Sequence, residues 1–310
     1  MVLKRLRRNG ARIRKALEVC NLEEHARRLV RCSPPHRVLG LDINTNSTGF
    51  AIVTERGRVC RWGHIPTDHF ASADVMQIGE AIDNFLATVH TAELQKEPVQ
   101  WTIGIEAFMR MFLSGRFNNA GIFQLAQLNG IVSYACWKRF GVLPLHTHPS
   151  AARSFFGLRK RMKKSKNDSI KNVVMTFLEQ QEPELTLAAG RGSDTTALPT
   201  FQRLRTGALA DSAFDIADAY VIAAYTRCVH FKTQLEALQP HIAETFSRRY
   251  LEMTFKAAAK AKKSSIEMEI LMAMDERNKQ AYMQELFAFG LENWFKKQKC
   301  FMPFDDVESV

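Results

Sequence analysis

Four carboxylates in this chain sit inside runs that are otherwise apolar, and their placement constrains the fold more than any other feature. Asp42 closes the run "RVLGLD", and Glu106 closes "TIGIE". Asp215 and Asp218 interrupt "AFDIADAYVIAAY". A buried, unpaired charge is costly, so each of these acids needs a partner or a cation. Taken singly, each has an ordinary explanation. Asp is common at strand ends, and an acid near a helix N-terminus is favoured by the helix dipole. Taken together, they form a site only if the fold gathers them. Asp215 and Asp218 are three apart, so on a helix they share one face. Clustered carboxylates repel unless cations stand between them. Donor sets made only of oxygen suit Mg²⁺ or Mn²⁺.

The segments around these acids alternate between strand and helix patterns. "SPPH" at 33–36 is a break, because paired prolines cannot continue a helix. "RVLGLDI", "TGFAIVTE" and "RVCRWGHI" then read as three strands joined by short polar turns. Residues 73–94 have helical spacing, with Val75, Ile78, Ile82, Phe85, Leu86 and Val89 on one side. "QWTIGIEAF" (100–108) is a continuous apolar run, as for a strand buried on both faces. Residues 119–140 form a long apolar helix stopped by Gly141, and "VLPLHT" is a fifth strand. A short helix follows over 149–156, then a basic loop, then a helix from about Ser169 to Gln181. Residues 182–210 show no periodicity and read as an insertion or mobile loop. "SAFDIADAYVIAAYTRCVHF" is a buried helix, and 233–262 and 264–298 read as two or three more. The order is α/β, and the meander of the first three strands makes the sheet mixed.

Charge is unevenly spread. The net charge is +11, yet residues 1–36 hold ten Lys/Arg against three acids. Residues 231–310 carry twelve of each sign. A basic chain has nucleic acid or an anionic surface as its default partner, but here the excess lies mainly in one arm. That arm is Arg-rich with no acid before Glu18, the pattern of a mitochondrial targeting segment. A basic arm for nucleic acid or a ribosome is the competing explanation, and the absence of Ser from the first 32 residues counts against a typical presequence, but mitochondrial targeting is the expectation. The six cysteines are scattered without metal-ligand spacing, which fits reduced thiols. No apolar run reaches the ~18–20 residues of a membrane span, so no membrane partner is expected.

The order of elements and acids resembles the RNase H-like superfamily, and within it the RuvC Holliday junction resolvases. "GLDINTNSTGFAIV" looks like their first strand–turn–strand motif, and "GIEAFMRMF" resembles their second acidic motif. "NNAGIFQLAQLNGIVSYAC", "LPLHTHPSAARSFFGLRKRMKKSK" and "DIADAYVIA" resemble the motifs that follow, in the same order. The resemblance spans roughly 38–230 and implies an RNase H-like five-stranded mixed sheet flanked by helices. It divides the chain into a basic arm or targeting segment (1–36), a RuvC-like domain (37–230) and a helical C-terminal extension (231–310). Two departures stand out. Ile43-Asn44 replaces the family's Pro-Gly after the first acid, and the 182–210 segment is long.

Under this resemblance Asp42, Glu106, Asp215 and Asp218 take the four metal-binding, catalytic positions. They would hold two Mg²⁺ or Mn²⁺ ions roughly 3.5–4 Å apart for phosphodiester hydrolysis. Lys166 takes the place of the family's catalytic lysine, with Lys163, Lys164 and Lys171 as competitors. Arg159, Lys160, Arg161, Lys163 and Lys164 would contact phosphates of the nucleic acid, and Phe108 matches an aromatic wedge. The implied function is a metal-dependent endonuclease for four-way DNA junctions, and cutting two opposed strands implies a C2 homodimer. The apolar helix 119–140 would serve as its interface or as a plain core helix. Two other functions remain. One is a RuvC-like scaffold, catalytically inactive, that binds ribosomal RNA in mitochondrial ribosome assembly, with protein partners at the C-terminal helices. The other is a YqgF-like RNA-processing nuclease.

Overall fold

The structure, a computed structural model, describes residues 10–32, 34–71, 74–94, 98–108, 119–158, 169–182, 201, 204–206, 209–238, 240–261 and 266–297. In chain order the elements are α1 (Gly10–Glu18), α2 (Leu22–Cys32), β1 (His36–Ile43), β2 (Ser47–Thr54) and β3 (Val59–Pro66). Then come α3 (Val75–Leu94), β4 (Gln100–Glu106), α4 (Asn119–Phe140), β5 (Leu145–Thr147), α5 (Pro149–Phe155) and α6 (Ile170–Gln181). The chain continues with α7 (Asp211–Leu238), α8 (Pro240–Ala261), α9 (Ile266–Ala273) and α10 (Glu276–Lys297). These divide into two units. One takes the described residues of 34–228, and the other takes 10–32 with 229–297.

The first unit is built on a five-stranded sheet in the order β3-β2-β1-β4-β5. β1 pairs antiparallel with β2, and β2 antiparallel with β3. β4 runs parallel to β1, and β5 parallel to β4. This is the mixed sheet of an RNase H-like fold, with helices on both faces. Side chains alternate along a strand, so β1 feeds two cores. Leu39, Leu41 and Ile43 join Ile103 and Ile105 beneath Ile78, Ile82 and Leu86 of α3 and Leu128 and Val132 of α4. On the opposite face Val38, Ala51 and Val53 pack against Val174 and Leu178 of α6 and Ala217, Tyr220 and Val221 of α7. Burying one aliphatic side chain of this kind stabilises by about 1.5–3 kcal/mol. The alternation also decides that Gly40 and Asp42 face α7.

Local chemistry sets several boundaries. His148 caps α5 by accepting from the Ser150 N–H, and Pro149 opens the helix, where its missing N–H is no loss. Ser169 caps α6 by accepting from the Asn172 N–H. One boundary differs from the sequence expectation. α7 does not end near Phe231 but runs on to Leu238. "KTQLEAL" holds no helix breaker, and the first one is Pro240.

The second unit is helical. Residues 10–32, part of the segment assigned from sequence to a basic arm or targeting segment, form α1 and α2. Helix α1 packs on α8 and α10. Ile13 and Leu17 are buried there, as are Phe246, Tyr250, Leu286, Leu291 and Phe295. The Arg12 guanidinium donates to Thr254 Oγ1 at 3.1 Å and lies 5.8 Å from the centre of the Tyr250 ring. Among the described residues no helix is long and apolar enough to cross a membrane.

Candidate functional site

Asp42 and Glu106 stand at the C-terminal ends of neighbouring parallel strands. Leu41 lies opposite Ile105, so the next residue on each strand is an acid. Ile105 belongs to the core under α3 and α4, and alternation therefore turns Glu106 to the same face as Asp42. Ligands in open α/β sheets bind beyond the carboxyl ends of strands, and these two acids sit at such an end. Asn129 of α4 holds the end of β4 in place, its Nδ2 donating to the Glu106 carbonyl at 2.8 Å. The Ala107 N–H donates to Thr147 O at 2.9 Å and extends the β4–β5 pairing past the acid.

Helix α7 brings the other two acids, and three glycines let it come close. A Cβ on Gly49 would overlap the Asp215 carbonyl group. One on Gly40 would overlap the Ala219 carbonyl oxygen, and one on Gly104 would overlap Thr226 Oγ1. Gly40 pairs with Gly104 across β1 and β4, and Gly49 pairs with Asp42 across β1 and β2. Helix backbone therefore lies on strand backbone at β2 and β1, and the Thr226 side chain seats against β4. The first turns of α7 end up over the strand row that carries Asp42. Glycine within strands often marks such a close approach. That signal is present in the sequence, and so is the lone Arg153 of "PSAARSF", yet neither points to the site without the fold.

The electrostatics show that the four acids share one neighbourhood. Asp42 is buried, at 3% exposure. Its carboxyl is pushed well above the ordinary carboxylate range, first by burial, then by a hydrogen bond to Glu106 and the repulsion of Glu106, Asp218 and Asp215. Asp215 is also raised by burial, while the Ser47 hydroxyl and the Lys171 ammonium pull it back. Asp218 has found a cation within the protein. Arg153 Nε donates to its Oδ1 at 3.0 Å and Nη2 to its Oδ2 at 2.6 Å.

Asp42 Oδ1 is buried and has no hydrogen-bond partner among the described residues. An orphaned carboxylate oxygen amid further carboxylates fits a hard divalent cation. Even so, among the described residues no three His, Cys, Asp or Glu side chains converge on a common ion position. Both oxygens of Asp218 are already engaged by Arg153.

Beside Asp215 a pocket of about 460 Å³ opens against the turn that follows β1. Asn44, Asn46, Ser47, His64, Lys171 and Asp211 are among the residues lining it. Lys171 pairs with Asp211 at 3.1 Å and lies 5.1 Å from the centre of the Phe214 ring. Phe108 is half-buried two residues past Glu106. Lys166, Arg159, Lys160, Arg161, Lys163 and Lys164 lie outside the described residues, as does most of 182–210. Of the lysines considered for the catalytic place, Lys171 is the one whose position is described.

No family model and no curated protein matches the chain. Solved structures that resemble it include Thermus thermophilus RuvC, and T. thermophilus RuvC in complex with Holliday junction substrate. Each is 15% identical, with a TM-score of 0.35, over 64% of this chain and 96% of the other. The fold assignment rests on strand order and register rather than on these likenesses.

Proposed function

We propose that this chain is a divalent-metal-dependent endonuclease that cleaves phosphodiesters in branched DNA, as a Holliday junction resolvase does. The observation that carries the proposal is the gathering of Asp42, Glu106, Asp215 and Asp218, from two strands and one helix, around the buried Asp42 carboxyl. Asp42 and Glu106 would hold the ions, together with Asp215 and, once released from Arg153, Asp218. Bound Mg²⁺ or Mn²⁺ would supply an activated water and charge stabilisation at phosphorus. Of the protein's own groups, Asp42 and Glu106 offer oxygens at a strand end fixed by pairing and by Asn129. Lys171 offers positive charge beside Asp215. The basic loop 159–166, with six Lys/Arg, would follow neighbouring phosphates.

Cutting two opposed strands calls for two copies related by a two-fold axis. Helix α4 supports that, because Tyr134 and Trp137 are 61% and 51% exposed while Leu128 and Val132 of the same helix are buried.

A second function is favoured by the Arg153–Asp218 pair. It is a RuvC-like scaffold that binds RNA, in ribosome assembly for instance, without cutting. Cleavage of a synthetic four-way junction with Mg²⁺ or Mn²⁺, wild type against Asp42→Asn, separates the two. Cutting by the wild type alone supports the nuclease. If neither cuts and the protein co-sediments with ribosomal particles, the scaffold takes its place.

A further inference from the structure

The Arg153–Asp218 pair has the attributes of a built device rather than a passing surface contact. It is two-pronged, with one guanidinium donor on each carboxylate oxygen. The side chains are only 22% and 14% exposed. The helix bearing Arg153 is held firmly, since Ala152 and Phe155 on either side of it are buried. Phe155 also packs edge-on against Tyr225 of α7, with ring centres 5.2 Å apart. Arg153 thus rides on a short helix that is itself seated on the helix carrying Asp218. Asp42 Oδ1, by contrast, is buried without a hydrogen-bond partner among the described residues.

We propose that Arg153 acts as an internal cation that competes with a divalent metal for the Asp218 carboxylate. The cluster would then take an ion first through Asp42 and Glu106. Asp218 would become a ligand only where the metal displaces the guanidinium. The device lowers the mutual repulsion of four acids in the metal-free protein, and it weakens metal binding by the strength of the pair it must break. The inference rests on the proposal that the carboxylate cluster binds a divalent cation.

The test is a Mn²⁺ titration of the full chain, with free Mn²⁺ followed by electron paramagnetic resonance. Wild type, Arg153→Gln, Arg153→Lys and Asp42→Asn are compared. Arg153→Gln is expected to bind Mn²⁺ about tenfold more tightly, given the usual strength of charge-assisted hydrogen bonds. Arg153→Lys, which loses the two-pronged geometry but keeps the charge, should show a smaller gain and also serves if the Gln variant folds poorly. Thermal unfolding provides a second readout. Arg153→Gln should melt lower without metal and show a larger rise on adding Mn²⁺. Unchanged or weaker Mn²⁺ affinity in Arg153→Gln, alongside wild-type binding that Asp42→Asn abolishes, overturns the competition while leaving the metal site standing. Absence of any Asp42-dependent Mn²⁺ binding in wild type and Arg153→Gln overturns both.

Discussion

Asp42 and Glu106 end adjacent parallel strands and turn to the same face of the sheet. Burial of Asp42, with the neighbouring charges of Glu106, Asp218 and Asp215, favours its neutral form. Its folded-state carboxyl is raised relative to the unfolded chain. The stabilisation is therefore complete below the ordinary carboxylate range near 4 and is lost as pH rises through the raised value. Metal-free protein should thus lose stability between mildly acidic and neutral pH. Asp42→Asn should flatten that slope and melt higher than wild type at pH 7 without metal. Urea denaturation across pH checks both.

Asp83 and Arg139 make the opposite case. Arg139 of α4 grips Asp83 of α3 with two hydrogen bonds, at 2.6 and 2.7 Å. The contact holds the Asp83 carboxyl below its ordinary range. Its contribution is present above the unfolded value and lost as pH falls through the lowered one. Asp83→Asn should cost about 1 kcal/mol at pH 7, as for a well-formed, partly exposed pair, and less at pH 2. The denaturation midpoint at the two pH values measures the difference.

Catalysis should depend on each clustered acid. Asp42→Asn, Glu106→Gln and Asp215→Asn should each lower junction cleavage by at least about a hundredfold, since groups merely supporting a metal's ligands already account for 10–100-fold. Far-ultraviolet circular dichroism should stay native. A single-turnover cleavage assay reads the loss, and near-normal cutting by Glu106→Gln would remove Glu106 from the site.

Gly49→Ala should separate stability from site geometry. The added methyl would meet the Asp215 backbone, and crowding of this kind costs about 1–3 kcal/mol. Because the displaced residue is a site acid, Mn²⁺ affinity should fall as well. Gly40→Ala pushes instead on Ala219 and Ala223. It should lose comparable stability with a smaller effect on Mn²⁺, read by titration at matched folded fraction.

Self-association should run through the exposed side of α4. The Tyr134 and Trp137 rings lie 5.9 Å apart on that side. Trp137→Glu with Tyr134→Glu should weaken a dimer at least about tenfold, as for central aromatic contacts, while leaving unfolding unchanged. Sedimentation equilibrium checks it, and a wild type that is monomeric at tens of micromolar would refute the two-fold assembly.

Much of the sheet unit could be read from local pattern. The α4 span of 119–140 and the Ser169 cap of α6 needed only apolar spacing and a stop or start residue. The acids were legible because charge in apolar sequence is unusual. The approach of α7 was harder to read, since Gly40, Gly49 and Gly104 look like weak strand residues until a helix is laid across them. Arg153 is hard to read from sequence for a related reason. A single arginine in a short helix has no local feature that names its partner 65 residues away.

The sequence by itself determined which segments are strands and helices, and which four carboxylates needed an explanation. Both follow from short-range periodicity and from the cost of buried charge. Only the tertiary structure decided that Asp42 and Glu106 meet on one face of the sheet, and that α7 lies against a stripe of bare backbone. It alone placed a guanidinium on Asp218. Those outcomes depend on contacts between distant parts of the chain, where a shift of one strand residue would turn Asp42 to the other face.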